Sequence, residues 1–66
     1  MSIYQAVSGL KIDLKNKGIF NYDYISGVNY KKILIFFNTG VAIPLKLPTE
    51  FKGFPVEAVN YQRGEV

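Results

Sequence analysis

Hydrophobic residues recur every three or four positions over the first 18 residues, which predicts one buried face of a helix: Ile3, Val7, Leu10 and Leu14. Ser2 and Gln5 fit a capping box, in which each side chain accepts a hydrogen bond from the other residue's backbone N–H. Gly18 can adopt the left-handed conformation that ends a helix. The segment LKIDLK by itself also fits an alternating strand, but the signals at both ends favour the helix.

An alternation of aromatic and polar side chains follows the predicted helix. Phe20, Tyr22 and Tyr24 are separated by single polar residues, which is typical of a half-buried strand. Gly27 and Asn29 then mark a turn. We therefore expect a first strand within the segment IFNYDYIS, residues 19–26, that ends before this turn.

The most apolar segment of the chain is KKILIFFNTGVAIPLKL, residues 31–47. Residues 38–40 fit a three-residue hairpin loop in which Gly40 supplies positive φ, so that Phe37 pairs with Val41. Because side chains alternate along a strand, one face then carries only large apolar residues, which we assign to the core beneath the helix: Ile33, Ile35, Phe37, Val41, Ile43 and Leu45. In the alternative interpretation, residues 41–47 belong to the connection of a β-α-β crossover. Pro44 and Pro48 disfavour a helix there, since an interior proline costs about 3 kcal/mol.

The C-terminal third predicts a corner followed by a strand. Pro48 can begin a single helical turn and Gly53 can end it. Residues 54–61 read as the last strand, with Pro55 at its start or on an edge because proline cannot donate to a ladder. We expect the final residues, GEV, to fray. The predicted fold is one α+β domain over residues 1–66: an N-terminal helix on a small, mainly antiparallel sheet of three or four strands, with a short helical turn before the last strand.

The segment LPTEFKGFPVEAV, residues 47–59, resembles part of the small α/β modules that precede trypsin-like domains in some bacterial proteins. The shared pattern is Leu-Pro, four residues, glycine, aromatic, Pro-Val, and it carries structural residues only: Pro48, Gly53, Pro55 and Val56. The resemblance implies a compact module with a Pro-Gly corner and no activity. No protease segment follows, and a chain without histidine cannot supply a Ser-His-Asp site.

Composition narrows the chemistry that these elements can support. The chain of 66 residues has no cysteine and no histidine, which excludes disulfides and disfavours a zinc site. The commonest nucleophile–base pairs are missing for the same reason, and the glycines are isolated, so no phosphate-binding loop is present. The carboxylates are scattered and a chain of this size has little room for a cleft. We expect no enzymatic activity, no metal and no cofactor.

The second face of the predicted hairpin is the first candidate surface. It carries Leu34, Phe36, Ala42 and Pro44 between Lys32 and Lys46. A single helix covers only one face of a sheet, and contiguous exposed apolar area commonly marks an interface. We therefore expect the protein to bind itself as a homodimer, or another protein, through this face or through a free strand edge. The alternative is that the C-terminal turn, with Phe51 and Phe54, folds over the face as core.

The second candidate surface is aromatic and basic. Tyr22, Tyr24, Lys31 and Lys32 suit a binder of single-stranded nucleic acid, since bases stack on aromatic rings while lysines contact phosphates. Phe20 and Tyr30 extend this set. The net charge of +3 and the pI of 9.3 are compatible with such a partner, but the lysines are spread along the chain. The competing interpretation is that the tyrosines cover a half-buried sheet face.

The chain predicts no membrane or secretory segment. Its longest apolar run, residues 33–37, is far shorter than the roughly 20 residues of a membrane helix. The N-terminus lacks the basic region and the long apolar region of a secretory signal. We therefore expect a cytoplasmic protein without membrane contact. The abundance of Ile, Asn, Lys, Tyr and Phe suggests an AT-rich genome and hints at a viral or phage origin, which would place the protein in a host cytoplasm.

Overall fold

A computed structural model describes residues 2–62 of the chain. The elements are α1 (Ile3–Asn16), β1 (Tyr24–Val28), β2 (Lys32–Asn38), β3 (Glu50–Phe51) and β4 (Phe54–Tyr61). They form one helix on a four-stranded sheet of order β1-β2-β4-β3. The sheet is mixed, because β4 runs parallel to β2 whereas the β1–β2 and β3–β4 pairs are antiparallel. The predicted α+β class is confirmed, and the predicted frayed tail GEV lies outside the described residues.

Helix α1 begins and ends where its local signals predict. The Ser2 hydroxyl accepts a hydrogen bond from the Gln5 N–H, and the Gln5 side chain accepts one from the Ser2 N–H, each at 3.2 Å. Gly18 follows the helix with a φ of +76°, which is the left-handed stop. The buried face of the helix differs from the predicted one at a single position, because Ala6 is fully buried whereas Val7 is half-buried. The observed buried residues are Ile3, Ala6, Leu10 and Leu14.

The first strand begins later than its sequence pattern predicts. Residues 20–23 belong to the link between the helix and β1, and Tyr22 packs against the core. Of the segment 19–26 predicted as a strand, only residues 24–26 lie in β1. Gly27 lies inside β1 rather than in the turn. The chain reverses at Asn29 and Tyr30, whose φ values of 54° and 56° match the positive φ that primed hairpin turns require.

The hairpin predicted around Gly40 is wrong. Gly40 does have positive φ, at 93°, and Val41 N–H donates to the Asn38 carbonyl at 3.0 Å, so the chain turns there. Residues 41–47 then form an irregular connection instead of a strand, and the chain re-enters the sheet as β4, parallel to β2. The crossover alternative is therefore correct in its connectivity, although the connection contains no helix. A parallel ladder from Ile33–Val56 to Asn38–Tyr61 replaces the predicted pairing of Phe37 with Val41.

The predicted core face is confirmed on β2 and only partly on the connection. Ile33, Ile35 and Phe37 are fully buried beneath the helix. Val41 and Ile43 are half-buried and pack against the same cluster. The assignment of Leu45 to the core is wrong, because its side chain is fully exposed, at 104%. Its burial required a strand at residues 41–47, and an irregular connection does not keep the alternation that would have turned it inward.

The helical turn predicted between Pro48 and Gly53 is not confirmed. The structure instead pairs Phe51 with Phe54 across a tight β-turn at Lys52 and Gly53. Both turn residues have positive φ, at 53° and 87°, as a two-residue hairpin loop needs. The predicted last strand over residues 54–61 is confirmed, with Pro55 near its start.

Helix α1 approaches β1 most closely where the strand has no side chain. A Cβ atom added at Gly27 would lie 2.8 Å from Ile3 Cδ1 and 2.9 Å from Ile3 Cγ1. Because Ile3 is buried, a methyl group at Gly27 displaces the Ile3 side chain or the helix that carries it, and we expect the free energy of unfolding of Gly27→Ala to fall by about 1–3 kcal/mol. Chemical denaturation measures this loss. Ile3→Val removes the nearest methyl group, so the double variant should lose less stability than the sum of the two single variants, and strict additivity would contradict the proposed contact.

Candidate interaction surface

The sheet has one covered face and one uncovered face. Helix α1 and the connection both pack on the inner face, where the hydrophobic core lies. Within residues 2–62 there is no second helix to cover the other side. The alternation of side chains and the strand register place ten residues on this side, which we term the outer face: Tyr24, Ser26, Val28, Lys32, Leu34, Phe36, Asn38, Glu57, Val59 and Tyr61.

Three aromatic rings from three neighbouring strands meet on the outer face. Tyr24 pairs with Phe36 in the β1–β2 register, and the two rings stack with centroids 4.5 Å apart at an interplanar angle of 21°. Tyr61 of β4 meets both rings edge-on, at 5.8 Å from Tyr24 and 5.5 Å from Phe36. Both arrangements are ones that aromatic pairs favour. We term Tyr24, Phe36 and Tyr61 the aromatic cluster.

Hydrogen bonds hold the aromatic cluster in place. The Tyr61 hydroxyl donates to the Asp23 carboxylate at 2.7 Å, in a partly buried position. Asp23 is itself fixed, since its backbone N–H donates to the Phe36 carbonyl at 2.7 Å. The rings are therefore ordered by contacts within the chain. Sequence reasoning missed Tyr61 because only the parallel pairing of β4 with β2 brings it beside Phe36, although alternation in FPVEAVNY does mark residues 57, 59 and 61 as one face.

The other end of the outer face is aliphatic and has balanced charge. Leu34 is half-buried between Ser26 of β1 and Glu57 of β4 in the strand register. Lys32 Nζ lies 3.6 Å from Glu57 Oε1, and both side chains are largely exposed. Exposed pairs of this kind contribute about 0–1 kcal/mol, so this pair adds little stability and mainly neutralises the rim of the surface.

The structure brings together only half of the predicted interface residues. Leu34 and Phe36 share the outer face as predicted. Ala42 and Pro44 do not, because both lie in the connection. The Ala42 carbonyl accepts a hydrogen bond from Asn21 Nδ2 at 3.3 Å. Pro44 and Lys46 line a shallow hollow of about 430 Å³. The other lining residues belong to the link before β1: Gly18, Ile19, Phe20 and Asn21.

The alternative in which aromatic residues of the C-terminal turn cover the second face is wrong. Phe51 and Phe54 are half-buried and pack against the core cluster on the inner face. Phe51 also lies beside the helix, where its ring edge would come within 3.2 Å of a Cβ atom added at Gly9. The outer face therefore gains no cover from this turn.

The candidate nucleic-acid residues are dispersed. Tyr22 packs against the core cluster, whereas Tyr24 lies on the outer face. Lys31 is exposed in the hairpin turn, at the far end of β1 from Tyr24 and about 13 Å away by strand rise. Lys32 is engaged with Glu57. Tyr30 packs edge-on against Tyr4 of the helix with ring centroids 6.2 Å apart, so it too is separated from the aromatic cluster.

Across residues 2–62, no helix is both long and apolar enough to cross a membrane. The same residues contain no group of three or more carboxylate, histidine or cysteine side chains placed to hold a metal ion.

The chain matches no protein-family model, no curated protein and no solved structure in the comparisons made. The resemblance of residues 47–59 to modules that precede trypsin-like domains therefore stays a prediction. In the structure this segment contains the β3–β4 hairpin, in which Gly53 supplies a positive-φ turn residue. The geometry of the outer face and of the strand edges is therefore the basis for inferring a function.

The hydrogen bond between Tyr61 and Asp23 should stabilise the fold as well as the cluster. Tyr61→Phe keeps the ring and removes the hydroxyl donor, so we expect the free energy of unfolding to fall by about 1 kcal/mol. Chemical denaturation of the purified chain measures the change. Tyr24→Phe is the matched control, because it removes a tyrosine hydroxyl from the same cluster at a more exposed position. Equal losses for the two variants would contradict a specific role for the Tyr61 hydroxyl.

Proposed function

We propose that the protein is a non-enzymatic interaction module that self-associates through its outer face. Leu34 and Phe36 are the anchors, and the aromatic cluster forms the centre of the contact. The observation that supports this proposal is the position of three ordered aromatic rings on a sheet face that neither the helix nor the connection covers. A symmetric homodimer is the simplest assembly that places two such faces against each other.

The composition of the outer face supports a protein partner. Interface centres are rich in tyrosine and phenylalanine, whereas charged residues lie at the rim. Here Tyr24, Phe36 and Tyr61 lie together, and the charged pair of Lys32 and Glu57 lies at one end. Tyrosine also combines a large apolar ring with a polar atom, which suits a surface that is exposed in the free chain and buried in a complex.

The small size of the domain gives the association a physical reason. A chain of about 60 residues buries only about 60% of the surface that it exposes when unfolded. Tyr24 is 47% exposed and Leu34, Phe36 and Val59 are half-buried, so apolar area is left for a partner to cover. Face-to-face packing of two sheets, at a spacing of about 10 Å, would bury this area without rearranging the strands.

A cytoplasmic setting fits a chain that has no cysteine.

A charge at either anchor should break the face-to-face contact. Phe36→Lys and Leu34→Lys each place an ammonium group where the proposal has apolar packing, so we expect the assembled mass at a fixed concentration to halve. Light scattering across a concentration series measures this mass against the 7.5 kDa of one chain. The dissociation constant of this contact should rise at least about tenfold, which corresponds to about 1.4 kcal/mol.

Ile12→Lys is the matched control for these variants. Ile12 is 62% exposed on the helix, on the opposite side of the sheet, and makes no part of the proposed contact. Its substitution should leave the mass unchanged, and circular dichroism should show the same fold for all three variants. An unchanged mass for both Phe36→Lys and Leu34→Lys at every concentration would refute the outer face as the site of self-association.

Within residues 2–62, the tyrosines and lysines of the nucleic-acid alternative are dispersed and do not share one surface. We therefore expect a short single-stranded oligonucleotide to show no salt-sensitive binding in a filter assay at low and high salt. Phosphate contacts release counterions, so true binding would weaken steeply as the salt concentration rises. Binding that behaves in this way, and that is lost in Lys31→Ala with Lys32→Ala, would instead support the nucleic-acid alternative.

A further inference from the structure

We infer that the chain has a second self-association site, the open edge of β4, where it pairs antiparallel with β4 of a second copy. The inference rests on the proposed function only in that both concern self-association. It uses backbone groups at the edge of the sheet rather than side chains on its face. Together the two contacts would give a dimer of dimers.

Within the part of the chain that the structure describes, most of β4 lacks a strand on one side. The β3 strand pairs only with its first two residues, Glu50 with Pro55 and Phe51 with Phe54. The β2 strand occupies the other side of β4, from Val56 to Tyr61. Within residues 2–62, no strand pairs with the β3 side of β4 beyond Pro55. This stretch is the open edge.

The backbone of the open edge presents unpaired groups at alternate residues. The Val56 N–H donates to the Thr49 carbonyl at 2.9 Å, so the backbone of Val56 points away from β2. The direction alternates along a strand, and Ala58 and Asn60 therefore point the same way as Val56. The Tyr61 carbonyl accepts from the Thr39 N–H at 2.9 Å, beyond the end of β2, which fits this alternation. Ala58 and Asn60 thus offer two N–H and two C=O groups to a new strand.

The spacing of these groups suits a second copy of the same strand. A twofold axis at Val59 places Ala58 of each copy opposite Asn60 of the other, which forms four backbone hydrogen bonds. Glu57 then lies opposite Tyr61 of the second copy, so no like charges face each other. The paired stretch stops at residue 57, because the backbone N–H of the next residue, Val56, already donates a hydrogen bond to the Thr49 carbonyl. The open edge is therefore self-complementary in charge and in length.

The helix explains why the edge of β4 is favoured over that of β1. Neighbouring strands lie about 4.8 Å apart, whereas packed helices need about 8–10 Å between their axes. Helix α1 packs on β1 and β2, with Ile3 directly over Gly27. Pairing two β1 strands would therefore bring the two helices to this spacing or closer, so that they would have to pack against each other. On the β4 side the helix lies beside Phe51 of β3, at the start of β4. At the other end of β4 the neighbouring chain is the connection, whose Val41 carbonyl accepts a hydrogen bond from Asn60 Nδ2 at 3.3 Å, and a single irregular chain needs less lateral room than a helix.

A cysteine at the predicted axis tests this pairing. In an antiparallel non-hydrogen-bonded pair the Cα atoms lie about 4.5 Å apart, which is within the range of a disulfide. Val59→Cys introduces the only thiol of the chain. We expect it to form a disulfide-linked dimer under mild oxidation at least about tenfold faster than Ser26→Cys. Ser26 is the control because it also lies on the outer face, but in β1, away from the open edge. Both should be made in the Phe36→Lys chain, so that contact through the outer face does not contribute.

Amide exchange gives a second readout that needs no substitution at the edge. In the Phe36→Lys chain, exchange at the Ala58 and Asn60 amides should slow at least about tenfold from dilute to concentrated solution, because pairing protects both. Circular dichroism checks the fold of every variant.

The outcomes separate the two contacts. Linking of Val59→Cys no faster than that of Ser26→Cys, or exchange that is independent of concentration, would overturn the edge pairing. If Phe36→Lys still halves the mass, the outer-face proposal stands without the edge. If linking and protection persist while Phe36→Lys leaves the mass unchanged, the edge pairing stands and the outer-face proposal fails.

Discussion

The parallel ladder between β2 and β4 is the interaction on which the rest of this structure depends. It joins residues 33–38 to residues 56–61, which makes both strands central in the sheet. Because the strands are parallel, the chain must return from one end of the sheet to the other, and residues 39–49 make this return as a connection. Val41, Ile43 and Leu47 pack against the core from this connection. One pairing thus decides the strand order and part of the cover of the inner face.

Within residues 2–62, the helix, the connection and the β3–β4 hairpin all pack on the inner face of the sheet. The helix is close to β1 and β2, and contact between Gly27 and Ile3 leaves no room for a side chain at that point of β1. The connection and the β3–β4 hairpin supply the remaining apolar contacts, including Phe51 and Phe54. A domain of this size builds one core. Within residues 2–62, the outer face is therefore stabilised by contacts among the strands and by the hydrogen bond from Tyr61 to Asp23.

Those contacts order the outer face within the single chain. Each aromatic pair contributes about 0.5–1.5 kcal/mol beyond the area that it buries. The hydrogen bond from Tyr61 to Asp23 ties the ring of the last strand to the start of the first. An ordered surface loses little side-chain freedom on binding, which is one of the main costs of association. The rigidity of the aromatic cluster and its exposure together make this face a suitable contact surface, and the open edge of β4 lies beside it.

Local signals along the chain were sufficient for the helix, for β2 and for β4. The capping box, the apolar spacing of α1, the apolar run of residues 33–37 and the strand pattern of residues 54–61 all depend on neighbours within a few positions, and the structure confirms these elements. Leu34 and Phe36 were placed on the second face for the same reason, since strand alternation alone opposes them to Ile33 and Ile35. The positive φ of Gly40 was also predictable from the residue type.

The partners of β2 could not be read from local pattern, because pairing depends on residues far apart in the chain. The turn at Gly40 is compatible with a hairpin and with a crossover. In the structure β2 pairs with the strand at residues 54–61 and not with residues 41–47. Leu45, Ala42 and Pro44 were misplaced together, since all three positions followed from the hairpin register. Tyr61 joined the aromatic cluster only because the parallel ladder carries β4 past Phe36. The periodicity of the chain therefore decided which way each strand's side chains point, and long-range pairing decided which strands they meet.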